Sequence, residues 1–334
     1  MRLENLYRLG VATGIENDPR GKEAVEYDLS KSKKAFEALK PEDKDYFDVD
    51  SLWNPYPDSR MAAGDPDADV GTVLVGIDIG VGEILLADRL REKGKKIDAV
   101  LSHHPSGMGI VGLPKVMLMQ ADIMSGAGVP INIGEGLIYP RHKEVEQAIF
   151  ASNHYQTADA AKLLGIPLFS LHTPADNCVV TYLTNIVKQK DPKTVGDLLK
   201  VMKDVPEYDL ARRKGLNPRI EIGSDEKRTG KILVEMTGGT TGSKDGWERL
   251  ADAGVGTVVV MHIPKEHIEM AQKFHLNIIN VGHMASDSIG MNHILDRFEQ
   301  NGVEIVATSG LIRVNRNPGS PPVCRSPMPS SYLA

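Results

Sequence analysis

The chain has few cysteines, no long apolar run and no excess of positive charge. Its 334 residues include two cysteines, Cys178 and Cys324, and neither lies in a spacing typical of a metal or redox motif. No stretch approaches the roughly 18 consecutive apolar residues of a transmembrane helix, and Met1–Asn5 lacks the basic-then-apolar order of a signal peptide. The formal net charge of −6 argues against nucleic-acid binding through phosphate neutralisation. These absences predict a cytoplasmic globular protein with neither a membrane nor a nucleic acid as partner.

Regular secondary structure is predicted from Val73 onward. Apolar strands at Val73–Ile77 and Ile97–Leu101 flank an amphipathic helix at Val81–Lys93, which makes one βαβ unit with parallel strands. A further strand is predicted at Val129–Ile133. The βαβ rhythm returns in the last third of the chain and ends with a strand at Glu304–Thr308.

The fold class expected is α/β, with two similar lobes of mixed or parallel sheets flanked by helices. A chain of 334 residues, 41% of them hydrophobic, is long enough for two such domains, each with its own core. The predicted organisation is a charged N-terminal extension over 1–70, a first lobe over 71–184, a connecting segment over 185–230, a second lobe over 231–316 and an irregular tail over 317–334.

Three segments place a histidine directly after an apolar strand, at the strand end where open α/β sheets carry their ligand sites. Their polar residues are His103 and His104, His172 and Asp176, and His283 and Asp287. Each segment also has a structural explanation. Adjacent histidines are often one buried and one exposed, and Thr173 or Ser286 would cap a helix whose first turn favours an aspartate. The shared placement nevertheless favours a metal site, since imidazole and carboxylate together suit zinc, iron or manganese.

Other polar motifs are weaker. Thr237–Lys244 is glycine-rich and follows a strand; a tight turn is the favoured interpretation and a backbone cradle for phosphate is the alternative, because the Walker spacing is absent. His262 and His267 are interpreted as surface residues or substrate contacts. Gly80 and Gly82 lack the third glycine of a dinucleotide fingerprint.

The three strand-end motifs together resemble those of a known family. His103-His104-Pro105, His172-Thr173-x-x-Asp176 and Gly282-His283-x-x-x-Asp287 are similar in order and context to the Nif-three-like dinuclear-metal family, often labelled as GTP cyclohydrolase type-two homologues. The resemblance implies two α/β lobes with a site for two divalent transition-metal ions in the cleft between them. It also implies a homo-oligomer, commonly a hexamer. Carried over, the metal ligands are His103, His104, Asp176, His283 and Asp287, and the catalytic candidates that line the site are His172 and Thr173.

The chain departs from this family in three places. The family usually has Glu where this chain has Asp287, and the segment between His104 and His172 is longer than usual. Met261-His262-Ile263-Pro264 stands where the family has a Thr-Gly-Glu turn.

The function expected from the resemblance is that of a metal-dependent hydrolase acting on a small, phosphorylated or nucleotide-like molecule. Two ions would activate water, Asp176 would bridge them, and His172 would transfer protons. Lys244, Lys265 and Thr240 would orient an anionic group of the substrate. The alternative is a non-catalytic metal-binding protein for metal storage, delivery or a regulatory scaffold, and a third reading is a scaffold whose metal site has decayed.

Overall fold

The structure is a computed structural model that describes residues 1–319, so the predicted tail lies outside the described residues from position 320 onward. The elements up to residue 170 are α1 (Leu3–Glu16), α2 (Lys22–Ala38), two 3-10 helices (Pro41–Tyr46 and Val49–Leu52), β1 (Met61–Ala63), β2 (Thr72–Gly76), α3 (Val81–Glu92), β3 (Ala99–Ser102), α4 (Met108–Val116), α5 (Met119–Gly126), α6 (Ile131–Phe150), α7 (Gln156–Leu163) and β4 (Leu168–Ser170).

The elements after residue 170 are α8 (Thr173–Lys190), α9 (Val195–Lys203), α10 (Pro206–Arg212), β5 (Arg219–Ile222), β6 (Lys231–Glu235), α11 (Gly246–Asp252), β7 (Val255–Val260), α12 (Lys265–Lys273), β8 (Asn277–Asn280), α13 (His283–Gln300) and β9 (Glu304–Ala307). Within residues 1–319, no helix is long and apolar enough to cross a membrane.

Two mixed sheets flanked by helices confirm the predicted α/β class. The first sheet has the strand order β1-β4-β3-β2-β9, in which β1 is antiparallel to β4 and the other pairs are parallel. The second sheet has the order β5-β8-β7-β6, with β5 antiparallel to β8. In both sheets the parallel strands are joined by helical crossovers, as the βαβ rhythm predicted.

Two predicted strands differ from the structure. Val129–Ile133 does not form a strand; Ile131 begins α6, in which Gly134 lies close to the backbone of Ala121 on α5. The strand prediction was wrong there because a short apolar run does not by itself distinguish a strand from a buried helix start. The last strand, β9, was grouped with the second lobe, but it pairs in parallel with β2 of the first sheet.

The N-terminal helix is part of the core of the first sheet. Leu3, Leu6, Tyr7 and Val11 of α1 are each at most 1% exposed, and they belong to the same apolar cluster as residues of β2, β3, α8 and α13. The first turns of the chain therefore hold together the helices that follow β4 and β8.

Leu6→Ala is expected to lower the free energy of unfolding by about 2–5 kcal/mol, because it leaves a cavity in this core. Chemical denaturation measures the change. Leu163→Ala is the matched control, since Leu163 is 87% exposed and its truncation should change stability by no more than about 0.5 kcal/mol. Equal, small effects of the two substitutions would show that α1 is not a core element.

Candidate metal centre

The ends of three parallel strands bring the predicted histidines together. His103 and His104 follow β3, and His172 follows the neighbouring strand β4, where Ser102 pairs with Ser170. His283 follows β8 of the second sheet and begins α13. The site therefore lies where the two sheets meet, at the carboxyl ends of their strands, as the strand-end motifs predicted.

The two aspartates come from the two helices that follow these strands. Asp176 lies in the first turn of α8 and Asp287 lies one turn into α13, four residues after His283. Neither Thr173 nor Ser286 acts as the helix N-cap that the sequence offered as an alternative explanation. Thr173 is already the first residue of α8, and the Ser286 hydroxyl donates to the carbonyl of Gly282. The two helices can approach because Gly290 of α13 packs directly against the backbone of α8.

Six side chains converge on one cluster, in which four are buried while His104 and His283 are partly exposed, and their facing atoms lie 3.4–3.9 Å apart. Asp287 Oδ1 is 3.6 Å from His103 Nε2, while Asp287 Oδ2 is 3.6 Å from His104 Nε2 and 3.4 Å from His283 Nε2. Asp176 Oδ1 is 3.5 Å from His103 Nε2, and its Oδ2 is 3.9 Å from His172 Nε2. These separations exceed those of hydrogen bonds. They approach the about 3.0–3.5 Å between two atoms that bind the same ion at 2.0–2.2 Å.

Several of these atoms have no partner in the protein. His103 Nε2 and both carboxylate oxygens of Asp287 are buried and make no hydrogen bond within the described residues. Such an arrangement is costly unless something else compensates it. Bound cations would satisfy these three atoms, so the donor set fits metal binding.

Burial and mutual charge shift the pKa values of the cluster strongly. Burial lowers the pKa of His103 well below its ordinary range, and it lowers the pKa of His283 to about 4. Burial also raises the pKa of Asp287 well above its ordinary value and that of Asp176 to about 7. For His172, burial opposes protonation, but the nearby carboxylates of Asp176, Asp58 and Asp287 outweigh it and raise its pKa to about 9.

Two further carboxylates, which the sequence analysis missed, orient two of the histidines by accepting hydrogen bonds from the ring nitrogen that faces away from the cluster. The Nδ1 of His172 donates to Asp58 Oδ2 at 2.7 Å, and the Nδ1 of His104 donates to Asp78 Oδ1 at 2.6 Å. Each bond fixes the ring so that Nε2 faces the cluster, an arrangement common behind metal-binding histidines. Asp58 lies in the Pro- and Asp-rich loop before β1, where no local pattern marks it.

Thr173 and His262 differ in whether their side chains face the cavity. Thr173 is fully buried and its hydroxyl donates to Asp58 Oδ2 at 2.6 Å, so it supports Asp58 rather than facing the cavity. The ring of His262 lies 4.8 Å from that of His283 and lines the same cavity, so both interpretations of His262, surface residue and substrate contact, remain predictions.

A cavity of about 290 Å³ lies between the His/Asp cluster and the second sheet. Its lining includes four histidines of the cluster, the loop after β6 and apolar residues of α5, α6 and α11. Thr240 lies in this lining. Lys244 and Lys265 do not, and they face the exposed carboxylates of Glu266 and Glu269 instead.

The overall structure is similar to that of a protein of the NIF3 superfamily from Sphaerobacter thermophilus. The two share 29% sequence identity and a TM-score of 0.69, over 76% of this chain and 92% of the other. Reduced HcgD from Methanocaldococcus jannaschii is more distant, with 14% identity and a TM-score of 0.48 over 74% of this chain and 87% of that one. That second similarity is too low to carry an argument. No family model and no curated protein sequence matches the chain.

Proposed function

This chain belongs to the NIF3 superfamily, and from that premise we propose that it is a dinuclear-metal-dependent hydrolase acting on a small molecule. The observation that carries the proposal is Asp287. Its side chain is fully buried, both of its oxygens lack a hydrogen-bond partner in the described chain, and each oxygen faces different histidines. A carboxylate placed in this way is suited to bridge two cations.

The distances between donors are compatible with two ion positions. One ion would be held by His103, Asp176 and Oδ1 of Asp287, with His172 beside Asp176. The other would be held by His104, His283 and Oδ2 of Asp287. Asp287 is common to both, so it is a better bridge than Asp176, which the sequence analysis favoured. The mixture of imidazole and carboxylate fits zinc, iron or manganese.

Bound ions in such a pair polarise the bond under attack and lower the pKa of a water molecule. The chain itself supplies the proton transfer. His172 is held by Asp58 at Nδ1, so its Nε2 faces the site and can carry a proton to or from the substrate. Thr173 and Asp58 are positioning residues in this scheme, since neither side chain faces the cavity.

The substrate we propose is a small, phosphorylated or nucleotide-like molecule whose anionic group binds at the metal end of the cavity. No lysine or arginine is among the described residues that line the cavity, so the ions are the strongest source of positive charge there. The loop after β6 adds hydrogen-bond donors. None of the backbone N–H groups of residues 238–243 donates within the described chain, and Gln120 holds the loop by donating to the carbonyls of Gly238 and Thr240.

The test is elemental analysis of the purified protein, followed by a hydrolysis screen with p-nitrophenyl phosphate and nucleoside phosphates. We expect about two equivalents of one transition metal and measurable turnover. Two bound equivalents with no turnover of any substrate would favour metal storage or delivery instead. No bound metal, and no uptake on addition, would contradict both functions.

Asp58→Asn is expected to lower kcat about 10–100-fold while the metal content stays close to that of the wild type, because His172 loses its oriented partner. Steady-state kinetics and elemental analysis measure the two quantities. Asp204→Asn is the matched control, since Asp204 is exposed and lies at the end of α9. An unchanged kcat in Asp58→Asn would remove His172 from the proton transfer.

A further inference from the structure

Outside the His/Asp cluster, the lining of the cavity includes a group of apolar residues and one acidic residue. The apolar residues come from α5, α6, α11 and the second sheet, and they include Ile123, Met124, Ile138, Leu233, Trp247 and Val260. The acidic residue is Glu235, the last residue of β6. Glu235 is half-buried at the cavity wall, so a ligand that fills the cavity would bury its carboxylate and would have to supply a partner for it.

The strand geometry sets the face on which Glu235 lies. Val234 and Met236 belong to the apolar cluster that packs against α8 and α13, whereas Leu233 belongs to the cluster on the opposite face of the sheet. Because side chains alternate along a strand, Glu235 shares the face of Leu233. Glu235 also pairs in register with Val260 of β7, which lines the same cavity.

Glu235 has no partner within the described residues. It makes no hydrogen bond and no ion pair there, and it does not belong to the clustered donors that could hold a metal. Burial is the sole cause that raises the pKa of Glu235, to about 7, so no neighbouring positive charge offsets the burial. A carboxylate without a structural partner that lines a cavity beside a reactive cluster is typical of a ligand-binding group.

We propose that Glu235 is a specificity-determining residue that binds an amidine-like N–C–N group on an apolar ring of the substrate. The two oxygens of a carboxylate accept two parallel N–H bonds from such a group, and the surrounding apolar side chains bury the ring. This inference rests on the proposed function in one respect, because it concerns the substrate that binds in the same cavity. It gives the substrate two ends, with the reacting group at the metals and the nitrogen-bearing ring at Glu235.

The lack of lysine and arginine among the described lining residues narrows the chemical class of the ligand. Since no described lining residue is a lysine or arginine, a ring that carries an acidic group would meet Glu235 without a lysine or arginine to pair with either charge. A ring with only acceptor atoms would leave the carboxylate unpaired, which costs as much as leaving a buried hydrogen bond unmade. Donor-bearing nitrogen is therefore the chemistry that this part of the cavity selects.

Benzamidine is the probe, with benzamide and benzoate as ligands of the same size and shape but different charge. Isothermal titration with the metal-loaded protein should show saturable binding of benzamidine, weaker binding of benzamide and none of benzoate to this subsite. Glu235→Gln should weaken benzamidine binding about tenfold or more and leave benzamide binding nearly unchanged. Equal affinity of wild type and Glu235→Gln for benzamidine, or no saturable binding to the wild type, would overturn the proposal.

Glu269→Gln is the matched control, because Glu269 is exposed and lies outside the cavity. It should bind benzamidine like the wild type. Elemental analysis separates this proposal from the proposed function. A protein without metal that still binds benzamidine through Glu235 would contradict the hydrolase alone, whereas a normal metal content without benzamidine binding would contradict the role of Glu235 alone. Thermal melts test whether Glu235→Gln is folded. We expect its melting temperature to match that of the wild type, because Glu235 has no structural partner to lose.

Discussion

Asp287→Asn is expected to abolish metal binding and, at the same time, to stabilise the metal-free protein. Asp287 is 1% exposed and neither of its oxygens accepts a hydrogen bond within the described residues. In the proposed dinuclear site this carboxylate would be the ligand shared by both ions, so a neutral amide would remove it from both. In the metal-free protein the same carboxyl group is buried without a hydrogen-bond partner and its pKa is raised, so folding at neutral pH carries the cost of burying its charge or of protonating it. An amide avoids this cost and should raise the free energy of unfolding by about 1–3 kcal/mol.

The opposite signs of the two effects are what make this substitution informative. Substitution of a residue needed only for folding would lower both the metal content and the stability. Substitution of this metal ligand should lower the metal content but raise the stability of the metal-free protein. Elemental analysis and thermal denaturation after treatment with a chelator measure the two quantities at one pH. Asp204→Asn, at an exposed position, should change neither. Retention of two equivalents of metal by Asp287→Asn would contradict the assignment of Asp287 as a ligand of both ions.

The clustering of the candidate ligands could be predicted because it follows from local rules. His103, His172 and His283 each follow an apolar strand, and parallel strands place their carboxyl ends at the same edge of a sheet. The spacing of His283 and Asp287 corresponds to one helical turn, and the structure places both on one face of α13. Residues that lie close in sequence to these strand ends were therefore found without knowledge of the fold.

The residues that support the cluster could not be found in this way. Asp58 reaches His172 across 114 positions of sequence, and it lies in a loop with no periodic pattern. Glu235 ends an apolar strand, where a charged residue usually marks the exit to solvent, and only the tertiary structure shows that it lines a cavity together with residues of α5, α6 and α11. The pairing of β9 with β2 is likewise a long-range contact, because the pattern that identifies a strand does not say which sheet it joins.

Gly290 is a further residue that no local pattern marks, although it holds the two ligand-bearing helices together. It lies in α13 where that helix crosses α8, and a Cβ atom at this position would come within 2.1 Å of the carbonyl oxygen of Ala175. That oxygen belongs to backbone, so the contact cannot be relieved by a side-chain rotation. Asp176 is the next residue along α8, and Asp287 lies three residues before Gly290. Any separation of the helices at this point therefore moves the two aspartates apart.

Gly290→Ala is expected to destabilise the protein by about 1–3 kcal/mol or more and to weaken metal binding, although it touches no ligand. Gly82→Ala is the matched control, because Gly82 lies in α3 and a Cβ there would meet nothing within 4 Å. The control should stabilise the protein by about 0.5–1 kcal/mol, since alanine is the better helix former. Chemical denaturation and competitive titration with a chelator measure stability and metal affinity in both variants. If Gly290→Ala kept wild-type metal affinity, the spacing of α8 and α13 would not determine the geometry of the site; a loss of affinity would show that helix packing sets the distance between Asp176 and Asp287.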